Sequence, residues 1–316
     1  MHVPKRWVWD GLSSDGCRRS TTAVSLIAGP VVSRRVGERL RMICVAPSAL
    51  TKAYVQTLWW HRREGNAPAG EHLLPTGSAQ LIVALHDGTF AWSAPEGASG
   101  AWSGAVVHGP QATWYRSGPK TAGVVVGASL RPEATAALFG MAAVALAGEH
   151  IPLETLWGSE AERARQRIAA AATPADALEE LERSIARRIR RPLLMHPSTA
   201  AALQGAWDAE QPFRLGSFAR ECGYSQKLVI GRFSESVGLT PSRYFRIRRF
   251  ADVLGALAAR LETPAAATAP SLARIAVESG YADHAHLDRD FRELAGVVPT
   301  AYRPLDAASP HHHIPR

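Results

Sequence analysis

The chain has 316 residues, of which 46% are hydrophobic and 20% charged, so its composition is that of a globular protein long enough for two domains. This balance excludes a wholly disordered chain, and no apolar stretch approaches the roughly 18 residues that a membrane-spanning helix needs. The three cysteines, Cys17, Cys44 and Cys222, are too far apart for a disulfide framework or a CxxC metal site. Charged residues also occupy the positions where a signal peptide would need its apolar segment. The cysteines and this charge pattern both favour a cytoplasmic protein.

The net charge of +8 is unevenly distributed along the chain. Residues 1–41 contain eight Lys or Arg and three Asp or Glu, and residues 212–304 contain thirteen and nine, whereas the segment between them is close to neutral. A basic segment beside a neutral one favours an anionic partner such as a nucleic acid, although a merely solvated surface would show the same excess.

Residues 1–41 show no clear periodicity and are predicted to form a flexible basic extension, with Met42 as an alternative start of the native chain. Residues 42–195 are predicted to form one domain, β-rich over 50–132 and helical over 134–192. Its strands are short apolar runs that end at turn residues. The run Leu81–Leu85 stops at Asp87-Gly88, and Thr89–Trp92 follows as the second strand of a hairpin. Strands punctuated in this way are typical of a small barrel or sandwich.

The helical part closes with an amphipathic helix that begins at Thr173-Pro174, an N-cap followed by proline at the first helical position. Its apolar side chains recur at helical spacing from Ala177 to Ile189. Such a face packs on its own domain, and it is also a candidate surface for a homodimer. Residues 196–211 are interpreted as a linker to the next domain.

Residues 212–304 contain an internal repeat. The segments 218–225 and 275–282 share an Ala, a Gly and a Tyr, and a Phe, a Gly and a Pro follow at matching distances. The offset between the copies is 57 residues at first and 58 residues afterwards, so one residue is inserted in the second copy. The turn and structural residues matched by the repeat include Gly223 and Gly280, Phe233 and Phe291, and Pro241 and Pro299.

Each copy has the pattern of a helix-turn-helix unit, the first over 215–237 and the second over 271–295. A short helix ends at Gly223 or Gly280, because glycine adopts a positive φ at low cost, and a second helix begins after the N-cap Ser225 or Asp283. The outward positions near the start of the second helix form one exposed stripe, which in a recognition helix contacts base edges in the major groove. The base-contact candidates are Gln226, Lys227, Ile230, His284, Ala285, Asp288 and Arg289.

A helix over 242–261 is predicted to connect the two units. Arginines cluster at its start, where they can bind phosphate groups, which supply affinity but no sequence information. The phosphate-contact candidates are Ser225, Arg232, Arg243, Arg246, Arg248 and Arg249.

Residues 212–304 resemble the DNA-binding domain of AraC-type (AraC/XylS) transcriptional regulators. The motif positions that match best lie in the second unit and are Gly280-Tyr281-Ala282-Asp283, Leu287, Arg289, Phe291, Gly296 and Pro299. The resemblance implies that the two recognition helices enter successive major-groove segments on one face of the DNA, with Arg289 where a family arginine contacts a base. The first unit has Gly231 at the family's usual arginine position, so the second unit is expected to dominate specificity.

The N-terminal part also resembles a regulatory domain of some AraC-type proteins, over about residues 50–190. The matching stretches are Leu73–Gly77, Leu81–Leu85, Gly109-Pro110-Gln111, Arg131-Pro132 and Leu138–Gly140. This likeness implies a cupin-like sensor of undefined effector. The predicted fold class is therefore α+β. A β-rich cupin-like barrel or sandwich with a helical extension precedes an all-α domain with two helix-turn-helix units and a connecting helix, and a tail follows over 305–316.

We expect no metal site, no cofactor and no catalysis. His72, His86 and His108 lie in the β-rich part with Glu71, but the His-x-His pair and following Glu of a cupin metal site are missing. The run His311–His313 is interpreted as a solvated tail. The sequence has no nucleophile elbow, P-loop or His-Glu-x-x-His motif.

These patterns predict a sequence-specific DNA-binding transcriptional regulator whose partners are a double-stranded operator and an unidentified small-molecule effector. A second copy of the chain and RNA polymerase are candidate partners, and a membrane is not expected. Two alternatives stay open: a cupin-type small-molecule enzyme with a DNA-binding appendage, and a protein-interaction protein carrying a helix-turn-helix module. The sequence identifies neither the effector, nor the operator, nor the sign of regulation.

Overall fold

The computed structural model describes residues 32–36, 40–63, 70–118, 123–189, 192–208, 213–262, 270–305 and 310–314. Within these ranges the N-terminal domain is built on two antiparallel sheets. The larger sheet has the order β1-β2-β3-β10-β5-β8-β11, with β1 (Val32–Val36), β2 (Leu40–Val45), β3 (Val55–Arg63), β5 (Gln80–Ala84), β8 (Ala105–His108), β10 (Gly123–Leu130) and β11 (His150–Pro152). The smaller sheet has the order β12-β4-β9-β6-β7, with β4 (His72–Leu73), β6 (Phe90–Ser93), β7 (Ser99–Trp102), β9 (Tyr115–Ser117) and β12 (His312–His313). The predicted β-rich domain is confirmed.

Two predictions about these strands were wrong. Part of the supposed flexible extension is β1, which pairs with β2 in the register Val32↔Cys44 to Val36↔Leu40, while residues 1–31 and 37–39 lie outside the described ranges. The run Leu81–Leu85 is not paired with Thr89–Trp92 in a hairpin. Instead β5 lies between β10 and β8, and β6 belongs to the other sheet. Because β5 is almost entirely buried, the backbone N–H and C=O groups along both of its edges need hydrogen-bond partners, and β10 and β8 supply them.

Helices α2 (Leu153–Trp157), α3 (Ser159–Ala169) and α4 (Pro174–Ala186) pack over the larger sheet. The buried side chains of Trp157, Ile168 and Leu181 join the strand residues in one apolar core. The predicted cap of α4 is confirmed, since Thr173 and Asp176 form a reciprocal capping box and Pro174 opens the helix. The start of the predicted helical part, before α2, contains α1 (Thr135–Phe139) and a short 3-10 helix, Ala143–Ala145.

The C-terminal domain is helical, as predicted. Its helices are α5 (Pro197–Asp208), α6 (Leu215–Glu221), α7 (Gln226–Val237), α8 (Pro241–Glu262), α9 (Leu272–Glu278) and α10 (His284–Ala295). Helix α5 corrects the interpretation of 196–211 as a linker, because Ala202 and Leu203 are buried in the core of this domain. No helix in the described part of the chain is both long and apolar enough to cross a membrane.

The C-terminal tail returns to the N-terminal domain. Strand β12 pairs with β4 in the register His312↔Leu73 and His313↔His72, and the backbone N–H of Leu74 donates to the carbonyl oxygen of His311 at 2.8 Å. His313 is only 1% exposed. The prediction of a solvated tail was therefore wrong, because β4 has an open edge whose backbone groups this segment satisfies.

Candidate nucleic-acid interface

The two recognition helices, α7 and α10, begin at the predicted caps. The hydroxyl of Ser225 accepts a hydrogen bond from the N–H of Leu228 at 3.2 Å, and the carboxylate of Asp283 accepts one from the N–H of His286 at 2.6 Å. The turns before them contain Gly223 at φ 73° and Gly280 at φ 76°, in the left-handed region that favours glycine. The local chain conformation of both units thus follows from cap and turn residues.

The apolar side of each recognition helix is buried against the rest of its unit. The side chains that form it are 2% exposed or less and are Val229, Phe233 and Val237 in α7 and Leu287, Phe291 and Leu294 in α10. The opposite side therefore has to face away from the domain. Gln226, Lys227, His284, Ala285 and Arg289 are exposed there, whereas Ile230 and Asp288 are half-buried.

Asp288 and Arg289 are in different electrostatic settings on α10. One carboxylate oxygen of Asp288 lies 3.4 Å from Nε2 of His284 and the other lies 3.9 Å from the guanidinium of Arg292. By contrast, Arg289 has no acidic partner within salt-bridge distance among the residues described. Its guanidinium can therefore reach a base edge without first breaking an ion pair.

Among the arginines of α8, Arg246 joins two helices. Its Nε donates to Asp290 at 2.9 Å and its Nη1 donates to Glu293 at 2.6 Å, both on α10. The hydrogen bond to Glu293 is the main reason that the pKa of Arg246 is raised. Because Asp290 is buried, this pair fixes α8 against the second recognition helix, a role that the sequence analysis missed. The partners lie 44 and 47 residues away, beyond any local pattern.

The other phosphate-contact candidates differ in how far they are engaged within the domain. The guanidinium of Arg249 lies 5.1 Å from the ring centroid of the buried Tyr281. Burial lowers the pKa of His311, and the charge of Arg248 contributes to the same shift. Arg232 pairs with Glu235 at 3.0 Å on the exposed side of α7. Arg243, at the start of α8, is exposed.

Gly231 lies exposed on α7, where an added Cβ would meet no atom within 4 Å. We therefore expect Gly231→Ala to stabilise the domain by about 1 kcal/mol, since glycine is a poor helix former. Gly231→Arg should in addition tighten DNA binding and steepen its salt dependence, by about one released counterion. Urea unfolding and fluorescence anisotropy titrations measure the two effects. If the arginine variant binds DNA no better than the alanine variant, position 231 does not face the DNA.

A second group of functional interest is a cluster of rings between the two sheets. Tyr115 Oη lies 2.8 Å from Nδ1 of His108, and His150 stacks on Trp92 with ring centroids 4.2 Å apart. Burial lowers the pKa of His150 to about 4, so its imidazole is neutral at pH 7. No local pattern around His150 indicates this contact, because only the pairing of β11 with β8 brings His150 to His108. Phe90 and Trp102, stacked at 4.1 Å, complete what we call the ring cluster.

Two protein-family models match separate parts of the chain. Residues 218–304 match the model of a helix-turn-helix domain. Residues 218–304 belong to the AraC-type helix-turn-helix family. Within this AraC-type domain lie both recognition helices and the connecting helix α8. Residues 44–152 match a domain of unknown function, DUF6597, which covers most of both sheets. A comparison with curated protein sequences finds no significant match.

Two solved structures are similar to this chain over most of their length. ToxT from Vibrio cholerae has a TM-score of 0.44 at 7% identity, with 83% of this chain and 97% of ToxT covered. The AraC-like transcriptional activator CuxR has a TM-score of 0.30 at 10% identity, with 67% of this chain and 79% of CuxR covered. On the strength of its AraC-type domain, the chain is a DNA-binding transcriptional regulator with a separate N-terminal domain.

Proposed function

We propose that this chain regulates transcription by binding a specific double-stranded operator, under the control of a small molecule that binds the N-terminal domain. The observation that carries the proposal is the pair of capped recognition helices, whose apolar sides are buried and whose N-terminal outward stripes are exposed. Both helices belong to one helical domain, in which α8 connects the two units. Two recognition helices in one domain match two successive major-groove segments of DNA. This arrangement favours DNA binding over protein binding.

The second unit contributes most of the base recognition in this proposal. Arg289 reads a guanine edge, which offers two acceptors to a guanidinium, while His284 and Ala285 contact the neighbouring bases. The first unit presents Gln226 and Lys227, with Ile230 beside them, and has no long side chain at position 231. Its contribution is therefore smaller, and it serves chiefly to fix the register of the second unit on the DNA.

The proposed effector site is the ring cluster of the N-terminal domain. Its half-buried aromatic rings offer stacking surfaces, and the neutral His150 and the hydroxyl of Tyr115 offer polar atoms to orient a planar ligand. A cytoplasmic location, a homodimer and a contact with RNA polymerase complete the proposal.

Phosphate binding by α8 predicts how the affinity for DNA depends on the salt concentration. Arg243→Ala should weaken binding to all DNA sequences alike and reduce the slope of log K against log salt by about one, because one phosphate contact is lost. Anisotropy titrations at several salt concentrations measure this slope. The matched control is Arg163→Ala, which removes the same charge from an exposed position on α3. An unchanged slope in the Arg243 variant would remove the assignment of this residue to phosphate.

A further inference from the structure

Both recognition helices end against the same short segment of the N-terminal domain. This segment, residues 109–114, connects β8 to β9 and is called the bridging loop here. A Cβ added at Gly238, the C-cap of α7, would lie 2.8 Å from Cγ of Pro110, and one added at Gly296, the C-cap of α10, would lie 2.6 Å from the ring of Trp114. Each cap glycine thus allows a close approach that any other residue would block.

The contact at α10 is reinforced by hydrogen bonding. Trp114 stacks on His72 with ring centroids 4.0 Å apart, and Nδ1 of His72 donates to the carbonyl oxygen of Ala295 at 3.1 Å. The last carbonyls of a helix have no partner within the helix, so this bond satisfies an acceptor that would otherwise be open. Ala112 and Trp114 also pack against the core of the helical domain.

The contact at α7 uses the other end of the bridging loop. The Cβ position of Gly238 lies 2.8 Å from the carbonyl oxygen of Ala143 as well as from Pro110, so α7 ends in a corner between the loop and the short 3-10 helix. The outward stripes of both helices remain exposed at their opposite, N-terminal ends. The N-terminal domain therefore holds the recognition helices by their C-caps without covering the proposed DNA-binding face.

We propose that the bridging loop fixes the separation and orientation of the two recognition helices, so that the N-terminal domain preorganises them for a two-part operator. The helix α8 joins the units at one side, and its 22 residues span about 33 Å at 1.5 Å per residue. The bridging loop supplies the second connection between them. Successive major-groove segments repeat at about 34 Å, so a small rotation of one unit spoils simultaneous insertion.

The two ends of the bridging loop are attached to the proposed effector site. His108 precedes the loop and Tyr115 follows it, and both belong to the ring cluster. A ligand that separates these two rings would move the ends of the loop, and with them both C-caps. Ligand binding in the N-terminal domain would thus shift the recognition helices through the bridging loop. This inference rests on the proposed function above.

Two variants of the full-length protein, one at each end of the bridging loop, test its contacts with α10 and α7 separately. Trp114→Ala should make the amides of the last turn of α10 exchange with deuterium about tenfold faster and leave α7 unchanged, whereas Pro110→Ala should do the reverse. Trp114→Phe, which retains a ring to stack on His72, is the conservative control. Unchanged exchange at β10, inside the larger sheet, shows in each variant that the N-terminal domain is intact. If Trp114→Ala leaves exchange at α10 unaltered, the proposal is wrong.

Binding to DNA is the second readout. Trp114→Ala should bind the preferred duplex about tenfold more weakly and bind a duplex that retains only the half read by the second unit as tightly as the wild type does. Equal losses on both duplexes, or tighter binding to the full site, would contradict preorganisation. Because hydrogen exchange needs no DNA, a wild-type protein without sequence preference would count against the proposed function while the exchange result still decides the loop contact.

Discussion

Arg289→Ala should weaken binding to the preferred DNA by about 1–3 kcal/mol, or roughly 5- to 150-fold, while binding to random DNA changes little. A bidentate contact between a guanidinium and a guanine edge is lost only where that guanine is present, so the penalty depends on sequence. Arg289 is exposed on α10 and no acidic side chain within the described ranges holds it, so the variant leaves no buried charge behind. Competition titrations with the preferred duplex and with single-base variants measure the loss.

The variant should also relax the preference at one base pair and leave the others intact. Arg163→Ala, which removes an exposed charge from α3 of the N-terminal domain, serves as the control for general electrostatics. Equal weakening on preferred and random DNA would mean that Arg289 contacts only phosphate. The second unit would then need another residue for its specificity.

The second large effect is expected on stability. Phe291→Ala should destabilise the AraC-type domain by about 3–5 kcal/mol, because the side chain is fully buried and its removal leaves a cavity. Its ring contacts Phe250 on the connecting helix and Tyr302 after the second unit, with centroids 5.1 and 5.6 Å away. Since denaturant slopes are about 1–3 kcal/mol per M urea, the unfolding midpoint of the helical signal should fall by at least about 1 M.

Val277→Ala provides the matched comparison for this experiment. Val277 lies in the same unit, on α9, but is 66% exposed, so its truncation should change the free energy of unfolding by less than about 0.5 kcal/mol. A loss of less than 1 kcal/mol in Phe291→Ala would contradict the assignment of the repeated phenylalanines to the centre of each unit.

The helix-turn-helix units were predictable because their signals are local. Ser225 and Asp283 cap their helices within three residues, Gly223 and Gly280 set the turns, and the buried side recurs at helical spacing. Because the unit is repeated, each of these signals occurs twice in the chain. The cap of α4 at Thr173 was predictable for the same reason.

The errors concern partners that are distant in sequence. Nothing near Leu81 indicates that β5 lies between β10 and β8, and the pairing of His312 with Leu73 spans most of the chain. The ion pairs of Arg246 and the approach of Trp114 to Gly296 also depend on how the two domains and helices are arranged. Helix α5 is different, because Pro197 at its start and the alanines that follow were a local signal that was misinterpreted as a linker.

The most direct test of the central claim is selection of DNA by the full-length protein from a random-sequence duplex pool, with sequencing of the bound fraction at about 150 mM salt. We expect an enriched motif with two blocks of preferred bases about one helical turn apart, and a stronger preference in the block read by the second unit. Absence of any enriched motif, together with weak binding that does not respond to salt, would contradict the account and favour a protein-binding or enzymatic role.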